Sequence, residues 1–359
     1  MDDISRNALA RARSALDVVA AGPGQSAGRS VGRLIRSLAM SDDIDAATAF
    51  IEAQNWVEKD AIGRVMKAAV PGLHLGSLPA DTITGDFMAA LRPYAVLSRL
   101  DKARRVPTKT RVIAFGAGAA AFRVGERKPI PISRASLVGI QIDSKPKVAG
   151  VSLATRELLA VPGIETDIAL GLDLAAATGA AEDAVFLDPT VTGSILNGAP
   201  TAVSVGVNTT GVDADLQKAI ELLLAAGGDL RDAAWVLSPA AAAKVAGLRG
   251  TGGAASFPGI GPNGGELLGL PALTSATAAG KLILIDQSGI IVDRDAGAEI
   301  TRAESATLQL SDAPTEPPTA PEQLVSLFQT DAVAIKAVLH RGWAVRAGSV
   351  ATYITGGTW

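Results

Sequence analysis

The sequence predicts an α+β chain in which helical and strand patterns occupy separate stretches. Three observations predict it. Residues 163–187 carry apolar side chains at helical spacing, with no strand pattern beside them. Residues 105–150 read as strands of period two with no helical stretch between them. Residues 200–290 alternate short helix and strand patterns between glycine-rich turns, which predicts a compact α/β unit.

Composition narrows the function before any motif is considered. The 359 residues are 48% hydrophobic but only 4% aromatic, so the core is expected to be packed with small aliphatic side chains. No cysteine is present, which removes disulfides, thiolate nucleophiles and cysteine-ligated metals together. The two histidines, His74 and His340, lie far apart in the chain and read as ordinary structural or surface residues. No metal, no cofactor and no catalytic residue is therefore expected. No apolar run is long enough to span a membrane. The N-terminus lacks the basic start and apolar core of a signal peptide.

Residues 1–70 read as largely helical, and Asp42–Lys67 places Ala46, Phe50, Ala53, Trp56 and Val57 at helical spacing. PGLHLGSLPAD (71–81) ends that segment. Arg111–Phe115 and the alternating Val138, Ile140 and Ile142 read as the arms of a hairpin spanning 105–150, with a proline-containing tip. A two-stranded hairpin is marginal alone in water, so an arm of this length needs another surface to lie on. Ser152–Leu159 reads as a short helix capped by Ser152. Gly163–Leu187 is the long helix, with Ile164, Ile168, Leu172, Ala175, Ala176 and Gly179 along one face, and Pro189 ends it. Residues 192–198 form a turn. Leu216–Ala226 reads as a helix stopped by Gly227 and Gly228, Trp235–Leu237 as a strand, and Pro239–Gly247 as an alanine-rich helix. A glycine-rich loop (249–269) precedes strands at Lys281–Ile285 and Ile290–Val292. Ile300–Leu310 and Leu324–Leu339 read as strands around a proline-rich loop at 311–321, followed by a last strand region at Ala344–Ile354.

The net charge of −3 conceals a local asymmetry. Residues 99–150 hold twelve lysines and arginines against three acids, and residues 286–331 hold nine acids against two arginines. A basic arm and an acidic strand region in one near-neutral chain suit complementary halves of a self-interface. The residues expected to carry it are Arg123, Arg127, Lys128 and Arg134 on the hairpin, against Asp293, Asp295, Glu299 and Glu304 on a neighbour. The alternatives are two solvated faces of one domain, or a nucleic-acid-binding hairpin. The second is weakened because Phe115 and Phe122 are the only aromatic residues there for stacking.

Motifs of chemistry are missing. The loop at 249–269 contains GTGGAAS but no lysine of a P-loop, and no GxSxG elbow occurs. Carboxylates such as Glu157, Glu165, Asp167 and the adjacent Glu182 and Asp183 have no spacing that suggests a catalytic pair, and read as helix solvation. A small-molecule-binding α/β enzyme centred on residues 200–290 remains the distant alternative.

Over roughly residues 75–359, the order of four motifs resembles the major capsid proteins of tailed bacteriophages, of prophage type, with the HK97 fold. They are FRVGERKPIPISRASLVGIQIDSKPKVAGVSLATRELL (122–159), AAEDAVFLDPTVTGSILNG (180–198), LGLPA (268–272) and FQTDAVAI (328–335). The resemblance implies an HK97-like capsid fold. Residues 1–75 would be an N-terminal arm and 105–150 an extended hairpin (E-loop). Segments 76–104, 151–199 and 287–339 would form a peripheral domain with a spine helix at about 163–187. Segments 200–286 and 340–359 would form an axial α/β domain.

The same resemblance implies a non-enzymatic virion protein that assembles with itself, in the bacterial cytoplasm, into hexamers and pentamers of an icosahedral head. That head would enclose double-stranded DNA, with a scaffold, a portal, a maturation protease and decoration proteins as further partners. Some family members crosslink a hairpin lysine to an asparagine with help from an acid. Lys128 and Asp331 match the first and third positions, but no asparagine follows Asn263, so no such bond is expected. An encapsulin-type nanocompartment shell is the alternative within the same fold, and the long N-terminal segment favours the phage reading.

Overall fold

Strands covered on both faces read as unbroken apolar runs rather than alternating ones, and KLILID at 281–286 is such a run. A computed structural model describes residues 83–108, 110–117, 136–142, 145–157, 164–250, 252–294, 297–303, 305–309, 324–346 and 350–357, with parts of 32–62 and 123–126. In chain order the elements begin with α1 (Ile44–Ala53), α2 (Ile83–Leu91), α3 (Val96–Arg99), β1 (Arg104–Val106), β2 (Val112–Ala117), β3 (Ser136–Ile140), β4 (Lys147–Thr155) and α4 (Ile164–Phe186). The α/β region follows: β5 (Thr201–Val203), α5 (Thr209–Ala225), β6 (Ala233–Leu237), α6 (Pro239–Gly247), β7 (Ile260–Gly261), β8 (Gly264–Leu267), β9 (Leu270–Thr274), β10 (Lys281–Asp286) and β11 (Ile290–Asp293). The last elements are β12 (Gly297–Ala303), β13 (Thr307–Gln309), β14 (Leu324–Ser326), β15 (Ala332–His340), β16 (Trp343–Val345) and β17 (Ala351–Thr355).

The chain divides into two units. The first comprises Met1–Tyr94, Lys147–Ala181 and Gly297–His340. Its centre is a three-stranded antiparallel sheet in the order β12-β15-β4, with all nine residues of β15 paired to β4. Most of α4 belongs to this unit. The strand carrying Gly150 packs on the helix, where Leu174, Ala177 and Thr178 meet it. The opposite face leaves Val151, Leu153 and Lys336 exposed.

Gly179 is required by close packing. A Cβ there would sit 2.9 Å from Tyr94 Cβ and 3.1 Å from the Tyr94 carbonyl carbon. Gly179→Ala gains about 1 kcal/mol of helix propensity but overpacks against backbone, at about 1–3 kcal/mol. A net loss is expected, read as a lower urea midpoint. A raised midpoint would mean that the helix shifts freely from Tyr94.

The second unit comprises Ala95–Pro146, Glu182–Ala296 and Arg341–Trp359. Its main sheet has seven strands in the order β5-β17-β10-β6-β9-β8-β7. Alternate residues of its central strands feed two cores. Trp235, Leu237, Leu282 and Leu284 pack with Val212, Leu216 and Leu223 of α5 and with Ala242 and Val245 of α6. Val236, Ile283 and Ile285 pack on the other face with Leu97, Phe186, Leu196 and Trp343. Beside it lies a three-stranded sheet, β1-β11-β16.

Several expectations are corrected. Ser152 does not cap a helix: β4 runs to Thr155, because nine ladder pairs to β15 outweigh the local helical pattern of SLATRELL. Within 105–150, among the described residues, β2 pairs with β3 from Val112↔Ile140 to Ala117↔Ser136 with a bulge, while the flanking β1 joins β11 and β4 joins β15. Leu324–Leu339 is not one strand but β14 and β15, separated by a turn in which Asp331 has φ 47°. Ile300–Leu310 likewise divides into β12 and β13. The helix expected at Leu216 begins seven residues earlier, because Asn208 caps it by accepting a 2.7 Å hydrogen bond from Gly211 N–H.

Candidate subunit interface

Charge opposites in one chain can meet within it or between copies, and their burial separates the two cases. Asp293 ends β11 with its side chain fully buried. Lys145 holds its carboxylate at 2.6 Å, and the Thr108 hydroxyl donates to it at 2.9 Å. The expected role of Asp293 toward a neighbour is therefore corrected. It joins the acidic segment to the basic one inside a single subunit. Asp286 is engaged in the same way, buried and bonded to the Asp229 and Ser288 N–H groups and to Arg346 at 3.2 Å. Arg123 is exposed and Glu299 half-buried. Arg127, Lys128, Arg134, Asp295 and Glu304 lie outside the described residues.

The base of the hairpin is anchored: Val112, Ile140 and Ile142 pack against Val106 and Ile291. Its other side exposes Ile113 at 64%. At its base the ribbon is thus tied to its own subunit on one side, with Ile113 exposed on the other.

Glu182 and Asp183, read as solvated, are instead buried to 1% and 0% exposure. They lie in the last turn of α4, inside the second unit. Asp183 accepts from the Val96 N–H at 2.7 Å and from the Ser275 hydroxyl at 2.6 Å. Glu182 faces Arg341 at 3.4 Å, and Arg341 also donates to Ser98 at 2.7 Å. Burial raises the Glu182 carboxyl to about 7, against the opposing pull of Arg341. Burial likewise raises Asp183 to about 6, opposed by the Ser275 and Val96 hydrogen bonds. The cluster fixes the helix end to the sheet rather than offering groups to a substrate, because none of these side chains reaches solvent.

Two largely apolar surfaces went unnoticed in the sequence. Val203 and Val205 are each 75% exposed and Val207 49% exposed, a period-two stripe continuing the edge strand β5. Buried Asp215 holds that stripe in place by accepting from the Ser204 hydroxyl and from the Val205 N–H at 2.8 Å. Near the other edge of the same sheet, Phe257, Pro258, Leu267 and Leu268, with Ser256 and Glu266, line an open cleft of about 350 Å³. Leu268 and Gly269 form the two-residue turn between β8 and β9, with φ 53° and 78°. Positive φ at both positions is the type I′ pattern, where asparagine is preferred first. A left-handed leucine costs about 1–2 kcal/mol, yet this one stands 49% exposed.

Comparison with known proteins places this architecture. The chain is 30% identical over 343 residues to a capsid polyprotein of Pseudomonas phage PAJU2, covering 89% of this chain and 51% of that protein. It thus spans about half the length of that curated relative. A solved structure from Mycobacterium phage Ogopogo matches with a TM-score of 0.52 at 17% identity, over 73% of this chain and 92% of that one. Another, from Mycobacterium phage Adephagia, matches at 0.49 and 16%, over 74% and 90%. The Ogopogo match establishes a shared HK97-like α+β fold. Residues 77–351 match the model of the Phage capsid family, and the chain belongs to that family.

Proposed function

We propose that the chain is a major capsid protein, a non-enzymatic shell subunit. It closes into pentamers and hexamers of an icosahedral phage head around double-stranded DNA. Under this reading residues 105–150 reach over a neighbour. The segments 76–104, 151–199 and 287–339 form the peripheral domain, and 200–286 with 340–359 the axial one. The observation that carries it is the ribbon β2–β3, tied down on one side and exposing Ile113 on the other. A two-stranded ribbon with a bare apolar side is marginal until something covers it. The outer face of the β12-β15-β4 sheet, with Val151 and Leu153 exposed, supports a neighbouring copy as that cover.

The electrostatic part rests on Arg123, Arg127, Lys128 and Arg134 meeting acids such as Asp295, Glu299 and Glu304 of another copy. The full chain carrying Arg123→Glu and Arg127→Glu is expected to keep its unfolding midpoint and to form fewer closed shells by negative-stain microscopy. Undiminished shell formation would remove the charge argument. A wild-type chain that stays monomeric at every concentration and salt would remove the shell reading itself.

A further inference from the structure

We propose that neighbouring subunits join head to tail through the seven-stranded sheet: the valine stripe of one copy, Val203 and Val205 foremost, seats in the Leu268 cleft of the next. The inference rests on the shell-subunit reading and names a contact within it.

The two surfaces stand at opposite ends of one sheet. β5 is one edge, and the β8–β9 turn that carries Leu268 lies beside the other edge strand, β7. Six strand spacings of about 4.8 Å put the edges roughly 29 Å apart. A knob at one end and a socket at the other make a heterologous contact, which propagates from copy to copy and closes into a ring when its rotation allows. An isologous pairing would need the same patch on both partners.

Charge singles out the same two places. Charged residues make up 19% of the chain, yet none occurs between Asp188 and Asp213, and Glu266 is the one charged residue lining the cleft. Depletion of charge marks the desolvated centre of an interface. An exposed apolar sheet edge left uncovered invites uncontrolled pairing, so a soluble subunit that keeps one needs a cognate cover. The strained turn points the same way. Asparagine at position 268 would suit the backbone better, and backbone strain that persists is held for a purpose outside the local fold. Asp215 serves the opposite surface, fixing the Val205 backbone so that the stripe is presented in one conformation.

The test uses the full chain in two forms, Val203→Asp with Val205→Asp, and Leu268→Asn. Both are expected to fold, and Leu268→Asn is expected to raise the unfolding midpoint while lowering shell yield by roughly tenfold or more. Each form alone should sediment as unassembled subunits. Their equimolar mixture should associate, because each retains the half that the other lacks. A mixture that associates no better than its components overturns the inference. So does a Leu268→Asn chain that assembles as well as wild type while the valine form fails, because the stripe would then meet another stripe. Wild-type chain that forms no shells overturns the underlying reading, whatever the variants do.

Discussion

Arg341→Met is expected to destabilise the subunit by about 3–5 kcal/mol at pH 7.5, among the largest single-residue effects in the chain. Arg341 is 3% exposed and lies 3.4 Å from Glu182, itself 1% exposed. Methionine fills much of the arginine stem's volume but leaves the Glu182 carboxylate without its counter-charge. It also takes a donor from Ser98. A buried pair can be worth little against a hydrophobic replacement, yet breaking one half is costly, because the desolvated Glu182 must then either stay charged without a partner or take up a proton from neutral solution. The double replacement Arg341→Met with Glu182→Leu should therefore recover most of the loss. Urea unfolding of dilute subunits measures both. A single variant within about 1 kcal/mol of wild type would mean that water reaches the cluster and screens it.

Much of the fold was legible because its signals are local. The long helix follows from its apolar spacing and from Pro189, and the structure places it at Ile164–Phe186. SPAAAAKVAG carries its own cap, with Ser238 accepting from Ala241 N–H and Pro239 opening the helix. KLILID is a buried strand because both faces of its sheet are covered. What failed was information held elsewhere in the chain. Ser152–Thr155 looks helical until Ala332–Ile335 pairs with it. Glu182 and Asp183 look solvated because their partners Ser98, Ser275 and Arg341 are remote in sequence, Arg341 by 159 positions. The charge count over 286–331 could not separate Asp286 and Asp293, which are internal, from Glu299, which is half-buried. The valine stripe was readable as VSVGV, since three apolar residues at period two beside an edge strand need a cover. Its exposure, however, depends on β5 having β17 on one side and, among the described residues, no strand on the other.

The buried acids also give the subunit a stability that falls as pH rises. Glu182 titrates at about 7 in the folded chain against 4.5 as its ordinary value, so between those limits the folded state holds a proton that the unfolded state has lost. Its contribution is fully present below about pH 4.5 and is lost as pH climbs through 7, on the order of 3 kcal/mol in all. Asp183, raised from 3.8 to about 6, acts in the same direction over a lower window. Asp188 and Asp229, both held below the ordinary value by hydrogen bonds, act in the opposite sense, but only in acid below that window. Glu182→Gln keeps the shape and removes the titration. Between pH 5 and pH 7.5 the wild-type subunit should lose more unfolding free energy than the variant, by up to about 3 kcal/mol. Parallel slopes in the two proteins would place the Glu182 ionisation in its ordinary range and remove burial as its controlling influence. The same proton links the two predictions. At pH 5 the protonated Glu182 needs no partner, so the cost of Arg341→Met should shrink there and grow again as the solution is made neutral.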